Sequence, residues 1–177
     1  MNDQWLLTLG AIILLGIFII SSNNLISSNN SRVTENEFVL TGIGYGQSLI
    51  DEVKTKYFDV IQNPLNQSQL TTDLGPEVGE QGIISIPDKF DTGIQGFESD
   101  TLFNDVDDYN GYYRVISSPR YGDYRLKVQV YYASEANPEV GSGGVKTFYK
   151  KMVVNVNNKY IDSVNSPVKL DYLFVLY

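Results

Sequence analysis

The chain reads as an α+β protein: a long N-terminal helix, first hydrophobic and then amphipathic, packed on a C-terminal antiparallel β-sheet. Three observations carry that reading. Residues 5–20, WLLTLGAIILLGIFII, hold no charge. Residues 38–58 repeat apolar side chains at spacings of three and four, the period of a helix with one buried face. From Tyr112 onward the apolar period drops to two, as in a strand with one wet face.

The first segment, residues 1–31, joins the apolar run to a polar Ser/Asn stretch. Sixteen helical positions at 1.5 Å each cover about 24 Å, just under a ~30 Å hydrocarbon core, and Leu25 and Ile26 extend the run. A secretory signal wants a basic leader and a small-x-small cleavage site. Here Met1, Asn2, Asp3 and Gln4 precede the run and SSNNLISSNN succeeds it, so a retained helix is expected. With Arg32 as the first base, the positive-inside rule has little to act on; a basic leader removed ahead of Met1 would resolve this. Ser and Asn compete for backbone hydrogen bonds, so residues 21–31 are expected as a stretched or melted length between two helices.

Residues 32–61 form the amphipathic segment, with Phe38, Thr41, Tyr45, Leu49, Val53 and Tyr57 along one stripe. Gly42, Gly44 and Gly46 each cost ~1 kcal/mol relative to Ala, which calls for close approach of another element or a local kink. The end is expected near residues 59–61, because Pro64 disfavours helix at Asn63. A helix unbroken from Asp3 would run roughly 85 Å. No small domain buries such a rod, so half of it needs cover from lipid or other chains.

Residues 62–111 are rich in Gly, Pro, Asn, Asp and Gln and read as a long acidic loop, with GIISIP at 82–87 as one short strand. Residues 112–177 read as the sheet. Leu126, Val128, Val130 and Tyr132 alternate within 124–132; Phe148, Met152, Val154 and Val156 share one side of 145–157, with a bulge expected near Lys150 and Lys151. Leu170, Tyr172, Phe174 and Leu176 line 168–177, residues 112–117 add a fourth strand, and Asn, Pro and Gly clusters separate them.

Composition narrows the function. The chain has no Cys and no His, which removes disulfides, thiol chemistry, His-based triads and imidazole zinc sites, and no enzyme is expected. The net charge of −8 is uneven: residues 1–60 carry six acids and three bases, 61–111 ten and one, 112–177 five and nine. An acidic total argues against nucleic acid as a partner. The asymmetry reads either as solvated faces or as complementary surfaces of neighbouring copies. The densest polar group runs from Asp100 to Gly111. Asp105, Asp107, Asp108 and Asn110 are candidate Ca²⁺ ligands, although Ile116 stands where an EF-hand needs its bidentate acid. An Asx-rich turn is the other reading of these residues, and no other cofactor is expected.

This order of elements resembles the type IV pilin and pseudopilin superfamily. GQSLIDEVKTKYFD at 46–59 looks like the pilin-like helix segment, FNDVDDYNGY at 103–112 like the stretch before the sheet of minor pilins, and YRLKVQVYYA and FYKKMVVNVN like their paired strands. The family is cleaved after a Gly and normally carries Glu at mature position five. Here no Gly precedes the run and position five is Trp5, which leaves Asp3 as the nearby acid to neutralise a neighbour's N-terminal amine. The resemblance implies a structural subunit of an extracellular, adhesive pilus-like filament, held in the inner membrane before assembly. It would polymerise with copies of itself through Asp3, Trp5, Leu6, Leu9, Ile13, Ile17 and Ile20. Some pseudopilins hold calcium in a loop beside the sheet, which draws attention to the same acidic group. The alternative is a membrane-anchored envelope protein, or a minor tip subunit, with a β-sheet binding domain. Removing the first 25 residues is expected to give a soluble monomer on size-exclusion chromatography; filaments formed by that truncated chain would contradict a helix-cored assembly.

Overall fold

The structure is a computed structural model and describes residues 3–61, 63–75, 83–85, 95–97, 103–161 and 168–176. The chain divides into two compact units, Met1–Glu37 and Phe38–Tyr177. Helix α1 spans Asp3–Val53, and the Ser/Asn stretch at 21–31 is helical rather than stretched. Each Ser or Asn costs at most ~0.7 kcal/mol in a helix, and a helix already nucleated on both sides absorbs that. The competing hydroxyls turn back onto their own helix: Ser31 Oγ donates to the Ser27 carbonyl at 3.2 Å, and Thr34 Oγ1 to Asn30 at 2.9 Å.

Within the second unit, the last turns of α1 bury Phe38, Leu49, Ile50 and Val53 in the core. The helix stops at Val53, ahead of the expected 59–61, because the chain finds other backbone partners. Thr55 and Lys56 close tight turns onto Glu52 and Val53. Tyr57 then pairs in parallel with Asp105, donating to Asn104 and accepting from Val106.

Strands β1 (Ile83–Ser85) and β2 (Gln95–Phe97) form a small antiparallel pair. The second of these has no alternation to announce it. Strands β3 (Tyr113–Ser118), β4 (Gly122–Tyr132), β5 (Tyr149–Asn158) and β6 (Val168–Val175) form an antiparallel meander in that spatial order. Leu126, Val128, Val130 and Tyr132 of β4 are buried as their period of two requires. In β5 the register runs without interruption through Tyr131↔Lys151 and Tyr132↔Lys150, so the expected bulge is absent. Lys150 therefore shares the inward face with Met152, Val154 and Val156 and is completely buried.

The helix packs on this sheet through Tyr45 against Tyr124 and Phe38 against Tyr121. The Tyr124 hydroxyl donates to the Phe38 carbonyl. Close approach accounts for Gly46: a methyl there would lie 2.5 Å from Leu170 Cδ1 and 3.2 Å from Val156 Cγ2. Gly44 faces open space, and nothing in the chain explains it. Replacing Gly46 with Leu is expected to lower stability by about 1–3 kcal/mol through overpacking, whereas Gly44→Ala raises it by up to ~1 kcal/mol through helix propensity. Thermal unfolding of the two variants checks this; equal shifts would contradict the packing assigned to Gly46.

Candidate functional site

Two features stand out. The first is the apolar surface of α1. Trp5, Leu6, Leu9, Ile13, Ile17 and Ile20, the residues expected to drive assembly, are exposed by between 53% for Ile13 and 79% for Trp5. The helix is long and apolar enough to cross a membrane. Asp3 begins α1, and its side chain lies outside the described residues, as does Asp100.

The second feature lies inside the second unit and is built around Lys150. Its ammonium donates to the Phe58 carbonyl at 2.7 Å, to Asp59 Oδ2 at 2.9 Å and to Asp107 Oδ1 at 2.5 Å. All three of its N–H groups are thereby used. The rings of Phe58 and Tyr132 stand 4.7 and 5.4 Å from the nitrogen and complete the lining. Asp59 is fixed in turn by the Thr71 N–H, with the Tyr132 hydroxyl, which donates to Thr71 O at 2.8 Å, lying 3.3 Å from its Oδ2.

The acidic residues flagged in the sequence supply the other wall. Asp105, Asp107 and Asp108 are fully buried. Asp107–Tyr109 form a turn of 3₁₀ helix. Asp105 Oδ1 accepts from the N–H groups of Asp107 and Asp108, and Asp108 Oδ2 from those of Asn104 and Asp105. This is a reciprocal Asx-type cap. Asn110 donates to Leu74 O at 2.8 Å and accepts from Val130 N at 3.0 Å. Gly111, at φ +86°, lets its N–H reach Val128 O. The four candidate calcium ligands thus face different partners, and among the described residues no group of three or more acids is placed to hold a metal ion. The cation against Asp107 is the ammonium of Lys150.

Electrostatics follow from burial. The Asp105 carboxyl is pushed up to about 9, first by burial, then by its hydrogen bond to Asp107 and the negative charges of Asp107 and Asp108, with Lys150 opposing. Asp105 is accordingly neutral at pH 7. Burial, followed by the charges of Asp59 and Asp107, likewise raises the Tyr132 hydroxyl, which stays a donor. On the opposite face of β5, Lys151 bridges Glu139 at 2.5 Å and Asp171 at 2.7 Å. Its hydrogen bond to Asp171 holds that carboxyl below the usual range.

Lys150 and Asp59 are not among the candidate site residues that the sequence alone singles out. A signal is present in the pattern: Lys150 falls in step with Met152, Val154 and Val156, and only an added bulge keeps its charge out of the core. Compared with protein-family models, with curated proteins and with solved structures, the chain matches none. The class it defines is an α+β protein with a membrane-length apolar N-terminal helix and an antiparallel sheet, an arrangement compatible with a pilin-like architecture.

Lys150→Met, which leaves two carboxylates buried without their cation, is expected to cost about 3–5 kcal/mol in chemical unfolding; a loss under ~1 kcal/mol would contradict the cluster's role. Asp105 keeps its proton when folded and loses it when unfolded between pH 3.8 and about 9. Stability is therefore expected to fall as pH rises through that window. Asp105→Asn, neutral throughout, is expected to flatten the fall between pH 5 and pH 8 in thermal melts, and an unchanged slope would contradict it.

Proposed function

We propose that the chain is a structural subunit of an extracellular pilus-like filament, polymerising through its N-terminal helix. The observation that carries this reading is the exposed apolar surface of α1, from Trp5 to Ile26. Burying that surface against identical helices gives a dry core in which every backbone group is already satisfied within its own helix. Before assembly the same helix resides in the inner membrane. The sheet unit then faces outward, and its acidic and basic regions meet those of neighbouring copies. The work done is polymerisation, not catalysis.

A membrane-anchored protein with a binding domain uses the same helix without polymerising, and the two readings part on where the chain is found. Electron microscopy and mass spectrometry of material sheared from expressing cells are expected to show filaments with this chain as the main species. Retention of the whole chain in the membrane fraction would contradict the filament and leave the anchored reading.

A further inference from the structure

The buried lysine has a chemical possibility that polymerisation does not use. We propose that Lys150 and Asp107 form an intramolecular isopeptide bond, with Asp105 as the general acid. The observations are geometric. Lys150 Nζ lies 2.5 Å from Asp107 Oδ1, with both side chains withdrawn from solvent. Asp105 is held beside Asp107, its Oδ1 accepting the Asp107 N–H at 3.1 Å. Asp105 Oδ2 and Asp107 Oδ2 are buried without a donor from elsewhere among the described residues. An amine, an acyl carbon and an acid are thus held together in a pocket walled by Phe58 and Tyr132.

The chemistry balances without any further reagent. A proton passes from the ammonium to the Asp107 carboxylate across the hydrogen bond they share, giving a free amine and a neutral acid. The lysine nitrogen then attacks Asp107 Cγ while Asp105 protonates the carboxyl oxygen, so negative charge does not build up on it. The attack forms the C–N bond, the nitrogen gives up a proton that returns to Asp105, and collapse breaks a C–O bond and releases water. In sum, one ammonium and one carboxylate become one secondary amide and one water. Preorganisation supplies the driving geometry, since two groups in fixed contact react as if at very high concentration.

Asp59 is the less suitable acyl group. It lies farther away, at 2.9 Å, and both of its oxygens already accept the Thr71 N–H. Asp107 carries the free oxygen and the neighbouring acid. The bond would close a loop between positions 43 residues apart, tying the turn before β3 to the start of β5. A subunit so closed would resist unfolding under tension without needing cysteine.

The test is the mass of the full chain, purified in detergent and held at neutral pH. It is expected to be lighter than the sequence by one water, and a tryptic digest is expected to contain a branched peptide joining Lys150 to Asp107. Lys150→Arg and Asp107→Ala are expected at full mass. Asp105→Asn is expected to form the bond about 100-fold or more slowly, the usual contribution of a general acid. Wild-type chain remaining at full mass after prolonged incubation overturns the proposal, independently of whether any variant folds. A branch to Asp59 overturns the assignment of Asp107, and formation in Asp105→Asn at the wild-type rate overturns the role of Asp105.

Discussion

The sheet unit depends on one constraint: a lysine ammonium with no access to water must find all of its partners in the protein. Lys150 meets it by drawing together Phe58 and Asp59 beyond the end of α1, Asp107 in its 3₁₀ turn, and its own position at the start of β5. Asp59 and Asp107 are 91 and 43 residues from Lys150 in the chain. A buried ion pair adds little net stability over an apolar replacement, but a broken one costs several kcal/mol. Misplaced arrangements of the acidic segment therefore leave a charge stranded, and the native register is favoured over them. Other contacts repeat the tie on a smaller scale, with Lys56 donating to Phe103 O and Tyr109 to Glu52.

The apolar end of α1 poses the opposite problem. Fourteen large hydrophobic side chains between Trp5 and Ile26 are exposed. At about 1.5–3 kcal/mol each, their burial is worth on the order of 20–40 kcal/mol, more than the 5–15 kcal/mol that holds a typical domain together. Lipid or other copies must take up that surface. Under the proposed function, lipid covers that surface first and copies of α1 cover it in the filament.

Periodicity makes most of the fold legible. The uncharged run, the stripe through Phe38, Leu49 and Val53, and the alternation of Leu126, Val128 and Val130 each specify an element and its inward face. Sequence and structure part where a local rule meets a non-local partner. Ser21 to Ser31 reads as a break by propensity, yet the helix around it carries through. Tyr57 reads as helical but pairs with Asp105, and that pairing has no local signature. A bulge at Lys150 is the natural expectation while its counter-charges, Asp59 and Asp107, are remote in sequence. The acidic turn is visible as an Asx-rich stretch, and its partner lysine is not.

Cysteine's absence from the chain gives the proposed assembly a clean probe. A single Ile13→Cys chain, oxidised in intact cells and run without reductant, reports which surface covers the helix. Burial against identical helices is expected to yield disulfide-linked dimers of this chain in the sheared filament fraction. Thiols that stay monomeric and unlinked in the membrane fraction would contradict a core built from copies of α1.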